Sequence, residues 1–80
     1  MRRLPPLNAL PAFEATARLG SASKAAQELG RTHGAISKQL KVLAEALGYS
    51  LFQNERNKLV LTDQGQAFLS HVAPALDQLS

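Results

Sequence analysis

The sequence predicts a mainly α-helical winged helix-turn-helix domain, with a three-helix core, a two-stranded wing and a C-terminal linker helix. Three observations support this prediction. A short alanine-rich helix ends at Gly30, and a longer amphipathic helix begins after Thr32. Two short apolar runs then flank a polar loop, as the strands of a hairpin do. A last amphipathic stretch has apolar residues at heptad-like spacing.

The composition is that of one small globular domain. The 80 residues are 45% hydrophobic and 19% charged, which differs from the composition of disordered chains. The absence of cysteine excludes disulfides and thiolate zinc sites, so a cytoplasmic setting is expected. Prolines interrupt the N-terminal apolar run, so neither a signal peptide nor a membrane span is expected. The net charge of +3 is a mild indication of an anionic partner.

The first helix is predicted close to the N-terminus. Asn8 is expected to cap it and Pro11 to lie in its first turn, where no intrahelical hydrogen bond is lost. The helix is expected to run to about Arg18, with Gly20 as its stop. Its predicted buried stripe recurs at helical spacing: Leu10, Phe13 and Ala17.

A second, shorter helix is predicted from Lys24 to Leu29. The Ser23 hydroxyl is expected to cap it, and Gly30 is expected to end it because glycine adopts the left-handed conformation without steric cost. Inside it, Ala25 and Ala26 are small enough for another helix to cross closely.

The third helix is predicted between Thr32, its cap, and Gly48, its end. Its apolar side is formed by Ile36, Leu40, Leu43 and Leu47. At about 100° per residue, the opposite side carries Gly34, Ser37, Lys38, Lys41 and Glu45. This solvent side has small residues at its start and is basic in its middle, which suits a helix that packs on one side and meets phosphate on the other.

The wing and the last helix follow. Leu51-Phe52 and Leu59-Val60-Leu61 are predicted to be strands around the polar loop QNERNK, and Thr62 with Asp63 is expected to open the last helix. The apolar seam of that helix is Leu69, Val72, Leu76 and Leu79. Because the preceding elements supply a compact core, this seam is predicted to contact a second subunit, whereas Phe68 is expected to turn into the core. The predicted division is residues 1–61 for the winged helix-turn-helix and 62–80 for the linker and dimerisation helix.

From Leu7 to about Leu79 the chain resembles the N-terminal DNA-binding domain of LysR-type transcriptional regulators. The motifs that carry the resemblance are the alanine pair at 25–26, AIS at 35–37, LF at 51–52 and LT with a glycine at 61–65. The stretch NALPAFEATARLGSASKAAQELGRTHGAIS is similar to the regulators of glycine cleavage and of β-lactamase expression. The resemblance implies a linker helix that pairs two subunits and, in the intact protein, a further domain that binds a small-molecule effector. The chain departs from the usual pattern at His33 and Gly34, and at Asn54 and Asn57, where wing arginines are common.

The candidate site residues are those that a helix in a major groove and its neighbours present to DNA. The residues predicted to contact base edges are His33, Gly34, Ser37 and Lys38. The residues predicted to contact the DNA backbone are Ser23, Lys24, Arg31, Thr32 and Lys41. The predicted wing contacts are Arg56 and Lys58.

The expected function is sequence-specific binding of double-stranded DNA by a bacterial transcription regulator. A homodimer would place its two recognition helices in successive major grooves of an inverted repeat, about 34 Å apart; assembly of the full-length protein into a tetramer stays open. One alternative is a winged helix used for protein assembly. An enzyme has little support because His33 and His71 lie on different helices without a partner set for catalysis. No catalytic residue, metal site or cofactor is predicted in this domain.

Overall fold

The computed structural model describes the backbone of residues 7–79 and the side chains of residues 8–74. A 3-10 helix, Leu7–Ala9, leads into three α-helices: α1 (Leu10–Leu19), α2 (Ala22–Leu29) and α3 (His33–Leu47). Strands β1 (Phe52–Glu55) and β2 (Lys58–Leu61) form an antiparallel hairpin, and α4 (Asp63–Leu79) follows. This is the predicted order of three helices, a two-stranded wing and a last helix.

The prediction that Asn8 caps α1 is wrong. Asn8 lies inside the 3-10 turn and Ala9 occupies the cap position, without a side-chain hydrogen bond. Ala9 has φ −88° and ψ −11°, so the chain passes from the 3-10 turn directly into α1 and no extended cap residue is needed. Pro11 lies in the first turn as predicted, and Gly20 ends α1 at a φ of 69°.

The prediction that Ser23 caps α2 is also wrong, because Ser21 is the cap. Ser21 has the extended backbone of a cap residue, and its hydroxyl accepts a hydrogen bond of 3.2 Å from the Lys24 amide. The helix therefore begins at Ala22, which buries its side chain in the core. Ser23 lies in the first turn of α2 and is exposed.

Two adjoining clusters of buried side chains form the core. The first joins α1, α2 and α3 through five alanines and one isoleucine: Ala12, Ala15, Ala22, Ala25, Ala26 and Ile36. The second is centred on Phe13 and Leu43, both fully buried. The Phe13 ring contacts the rings of Phe52 at 5.5 Å and Phe68 at 5.3 Å between centroids. Phe13 thereby connects α1 to the wing and to α4.

The strands of the wing are longer than the apolar runs predicted. β1 includes the polar residues Gln53 to Glu55, and the turn is only Arg56 and Asn57. Both turn residues have positive φ, 51° and 67°, as a two-residue turn of type I′ requires. The QNERNK loop was thus predicted too long. Strand pairing continues into its polar residues, which a pattern of apolar residues does not identify as strand.

The base of the wing is tied to the neighbouring elements by backbone hydrogen bonds. The Leu59 amide donates to the Gly20 carbonyl at 3.1 Å, and the Thr62 amide donates to the Leu51 carbonyl at 3.0 Å. The Thr62 hydroxyl caps α4 by accepting from the Gly65 amide at 2.9 Å, as predicted. The wing is therefore held against both the α1–α2 turn and the start of α4.

The inner side of α4 packs against the second cluster. Phe68 lies in it, as predicted. Leu69 and Val72 are partly buried in the same cluster, so the domain itself covers part of the seam. Leu76 and Leu79 lie outside the residues whose side chains are described. Contact of this seam with a second subunit, and the division at residues 61 and 62, stay predictions.

Replacing Thr16 by valine is expected to stabilise the domain by about 1 kcal/mol. Thr16 is fully buried and its hydroxyl has no hydrogen-bond partner among the described residues, so valine removes an uncompensated polar group at similar volume. Urea unfolding measures the change. Thr62→Val is the matched control, because its hydroxyl bonds both the Ser50 carbonyl and the Gly65 amide, and it should lose stability. Equal losses in both variants would contradict the prediction.

Candidate nucleic-acid interface

The exposed face of α3 has the composition and orientation predicted. Thr32 caps the helix by accepting a 3.1 Å hydrogen bond from the Ala35 amide, so α3 begins at His33. Ile36 and Leu43 are fully buried on one side. The opposite side is exposed along its length: Gly34, Ser37, Lys38, Lys41 and Glu45. The lysine-bearing side of α3 is therefore uncovered by the rest of the domain.

An open groove of about 500 Å³ lies between α3, the start of α2 and the wing. These three elements contribute the following polar residues to its lining: Ser23, His33, Ser37, Lys41, Asn54 and Asn57. Four predicted contacts, Ser23, His33, Ser37 and Lys41, thus share one concave surface. The α1–α2 turn at Gly20 and Ser21 forms part of its wall.

The other predicted contacts on the helices are exposed but do not line this groove. Lys24, Arg31, Thr32 and Gly34 surround the starts of α2 and α3. Lys38 lies at the side of α3, where it borders a smaller depression with Asn8 and Val42. The exposed polar surface around α3 is therefore wider than the groove itself.

The wing presents different residues to the groove from those predicted. Asn54 pairs with Leu59, and Glu55 pairs with Lys58. Because paired residues share one face of a hairpin and successive residues alternate, Lys58 lies on the opposite face from Asn54. Asn54 lines the groove, whereas Lys58 lines a separate depression beside the end of α1. Arg56 is exposed in the turn at the tip.

Sequence reasoning missed Asn54 and Asn57 as groove residues. The prediction of wing contacts was based on positive charge, so it selected Arg56 and Lys58 and not these two amide side chains. Asn54 could have been found from the alternation of side chains along a strand. The Phe52 ring faces the core, so Asn54, two residues later, lies on the same face of the hairpin as Phe52 and its own partner Leu59. Asn57 follows from the turn geometry, which the sequence did not indicate.

Six cations of the described residues have no carboxylate partner among those residues. Among the described residues, the salt bridges are those of Arg18 with Glu14, at 3.0 Å between Nε and Oε2, and with Glu28. The side-chain hydrogen bond with Arg18 lowers the pKa of Glu28, and the same contact raises the pKa of Arg18. The cations without a carboxylate partner in the described chain are Lys24, Arg31, Lys38, Lys41, Arg56 and Lys58. Their charge is available to an anionic ligand.

The described residues show little that would suit other chemistry. They contain no group of three His, Cys, Asp or Glu side chains placed to hold a metal ion. His71 lies on α4, with Nδ1 at 2.9 Å from the Ala67 carbonyl oxygen, away from the groove. Within the described helices, none combines the length and apolar character needed to cross a membrane.

Comparison with known proteins identifies the family to which the chain is similar. The family described as bacterial regulatory helix-turn-helix protein, lysR family, matches residues 7–66. The chain is 43% identical over 79 residues to the glycine cleavage system transcriptional activator of Escherichia coli K12, covering 99% of this chain and 26% of that protein. It is 42% identical over 80 residues to the carbapenem-hydrolyzing beta-lactamase transcriptional activator of Enterobacter cloacae, covering 100% of this chain and 27% of that protein. The chain thus spans about a quarter of the length of these relatives.

A solved structure shows the same architecture. The crystal structure of the CbnR_DBD–DNA complex superposes with a TM-score of 0.82 at 29% identity, covering 90% of this chain and 83% of that one. The predicted winged helix-turn-helix fold and the predicted resemblance are both confirmed. The chain belongs to the lysR family of bacterial regulatory helix-turn-helix proteins.

Proposed function

We propose that this chain binds double-stranded DNA sequence-specifically, as the DNA-binding part of a bacterial transcription regulator. The observation that carries the proposal is the groove in which the exposed face of α3, the start of α2 and the wing converge, with the unpaired cation Lys41 in its lining. A B-form major groove admits one α-helix, and the uncovered face of α3 fits that requirement. The solved CbnR complex, which contains DNA, supports the same use of the fold.

The first two turns of α3 are assigned to base edges. Gly34 has no side chain and Ser37 has a short one, so the helix can approach the bases closely there. Lys38 can donate to guanine O6 or N7, and His33 can donate to a base acceptor or accept from a base donor. Because His33 and Gly34 differ from the usual family residues, we expect a base preference different from that of relatives.

The DNA backbone contacts are assigned to the residues around this helix. Ser23 is free to donate its hydroxyl to a phosphate because Ser21, not Ser23, caps α2. Lys24, Arg31 and Lys41 supply charge, and the Thr32 hydroxyl keeps its proton for a phosphate while it accepts from Ala35. In the wing, Arg56 acts at the tip, with the amides of Asn54 and Asn57 facing the groove. Lys58 reaches DNA only around the outer face.

The oligomeric state and the further domain of the intact protein are proposed from membership of the family. We propose a homodimer on an inverted repeat, with Leu69, Val72, Leu76 and Leu79 at the subunit contact and a dimer or tetramer as the full-length form. Because the relatives are about four times longer than this chain, the small-molecule effector is assigned to a further domain. The protein is expected to act in the cytoplasm, and no catalytic activity is assigned to this domain.

Salt-dependent binding of duplex DNA tests the proposed function. Anisotropy titration of the chain with a mixed-sequence duplex of about 20 base pairs should give an affinity that falls steeply between about 50 and 200 mM salt. Each DNA phosphate that a cationic side chain neutralises contributes about −0.9 to the slope of log affinity against log salt. Absence of salt-dependent binding would favour the alternative, a winged helix used for protein assembly.

Replacing Lys41 by alanine is expected to weaken binding to every DNA sequence by a similar factor. Lys41 lies in the third turn of α3 and borders the groove, beyond the first two turns that we assign to base edges. Loss of one phosphate contact reduces the salt slope by about 0.9. Titration against several duplexes measures both quantities. A loss confined to one sequence would contradict the assignment of Lys41 to the backbone.

A further inference from the structure

We propose that Asn54 and Asn57 of the wing accept hydrogen bonds from the N2 amino group of guanine, in the DNA minor groove beside the major groove that α3 enters. This inference rests on the proposed function and deepens it, because it gives the wing a base preference of its own. The side chains that the wing turns toward α3, and their chemistry, support it.

The two faces of the wing differ in charge. On the face toward α3, Asn54 is the register partner of Leu59, and both residues line the open groove of the protein. Asn57, the second residue of the turn, also lines it. The outer face carries the charged partners Glu55 and Lys58, which lie outside this lining. The polar side chains that the wing contributes to the lining are therefore two neutral carboxamides.

The position of the wing directs these carboxamides to a minor groove. A B-form major groove is about 12 Å wide, and an α-helix with its side chains is about 10–12 Å across, so α3 fills the groove that it enters. The wing lies across the open protein groove of about 500 Å³ from α3. A hairpin beside the inserted helix therefore lies over the neighbouring phosphate strand, with its turn toward the next minor groove.

The carboxamide oxygen supplies what the minor-groove edge of a G·C pair requires. A·T pairs present only acceptors there, whereas guanine adds the donor N2 amino group. Arginine and lysine carry donors only and favour narrow A·T grooves, but a carboxamide also accepts a hydrogen bond. Because Glu55 belongs to the outer face, Asn54 and Asn57 hold the side-chain acceptors that the wing presents to the groove. G·C pairs are thus the partners that suit this wing.

Selection of duplexes from a randomised pool, followed by inosine substitution, tests the inference with the whole chain. Wild type should select G·C pairs next to the base pairs whose selection changes in His33→Ala. Inosine keeps the N7 and O6 atoms of guanine and lacks only the N2 amino group, so the major-groove edge is unchanged. Inosine at these flanking positions should weaken wild-type binding about 5-fold for each hydrogen bond lost, at an unchanged salt slope.

Two variants show whether the wing amides cause this discrimination. Asn54→Ala/Asn57→Gly should bind the guanine and inosine duplexes equally. Glycine is chosen at position 57 because the φ of 67° suits it, so the turn should stay intact. Gln53→Ala is the matched control: it removes the same carboxamide one residue away, on the outer face, where Gln53 donates to Glu55 at 3.3 Å. It should discriminate as wild type does, and thermal unfolding should show both variants folded.

The outcomes separate this inference from the proposed function. Flanking positions without a G·C preference, or equal wild-type binding of the guanine and inosine duplexes, would overturn the inference and leave the proposed function intact. Discrimination that survives in Asn54→Ala/Asn57→Gly would do the same. A wild-type chain without salt-dependent binding of duplex DNA would overturn both.

Discussion

Gly65→Ala is expected to destabilise the domain by about 3 kcal/mol, enough to unfold much of so small a chain. A Cβ atom built on Gly65 would lie 2.2 Å from the Leu51 carbonyl oxygen and 3.1 Å from the Leu61 Cδ2 atom. The nearest obstacle is backbone, which cannot move aside as a flexible side chain can. Hydrogen bonds from Thr62 to Leu51 and from Gly65 to Thr62 hold the same contact closed. Relief of the clash would break these bonds and separate α4 from the wing.

Gly34→Ala is the matched control for this effect. Gly34 lies in the first turn of α3, has nothing within 4 Å of an added Cβ atom and has no positive φ. Alanine there should raise stability by up to about 1 kcal/mol, because alanine favours helix over glycine. Denaturant unfolding followed by circular dichroism compares the two variants. A Gly65→Ala protein as stable as wild type would show that α4 does not approach Leu51 this closely.

Ser37→Glu is expected to weaken DNA binding by more than about 100-fold without loss of fold. Ser37 lies in the middle of the exposed face of α3 and borders the groove with His33 and Lys41. A carboxylate at this position would face base edges and phosphates, and juxtaposed like charges cost several kcal/mol at an interface. Glutamate is a good helix former, so α3 should remain intact. Anisotropy titration at low salt measures the loss.

Gln66→Glu is the matched control for Ser37→Glu. It changes the net charge by the same amount, but Gln66 is exposed on α4, on the side of the wing opposite the groove. Its affinity for DNA should remain within a few-fold of wild type, because Gln66 does not line the groove and salt screens exposed charges that make no direct contact. Similar losses in both variants would show that overall charge, and not the face of α3, determines binding.

Helix α3 was the part of the fold that could be predicted most completely from sequence. Its apolar residues recur over four turns, and both of its ends carry local signals, a threonine cap and a glycine stop. Because the buried side follows from that spacing, the exposed side follows as well. This is why the lysine-bearing face and its orientation were predictable without knowledge of tertiary contacts.

The starts of α1 and α2 could not be predicted as well. Ser21 and Ser23 are both suitable caps, and burial of Ala22 determines that the helix begins before Ser23. At α1, the packing of Ala9 against the core holds the preceding residues in a 3-10 turn, which removes the need for an Asn8 cap. In each case a tertiary contact selects between local signals of similar strength.

The wing and α4 show the same limit in different ways. The sequence indicates two strands but not which face each residue occupies, since that depends on the turn at Arg56 and Asn57. In the sequence, Gly65 is only a residue of low helix propensity inside a predicted helix. The structure shows that it permits the close approach of α4 to Leu51. The apolar seam of α4 was predicted by its spacing, but spacing does not distinguish packing within the domain from packing between subunits.

Nuclear magnetic resonance titration of the isotope-labelled chain with duplex DNA tests the central claim most directly. The central claim is that the exposed side of α3 enters the major groove of the duplex while α2 and the wing contact the DNA backbone. We predict the largest amide shift changes at Gly34, Ser37 and Lys41, with smaller changes at Ser23 and Asn57. Shift changes concentrated around the ion pair of Arg18 with Glu28 or on α4, with the exposed face of α3 unaffected, would contradict the account.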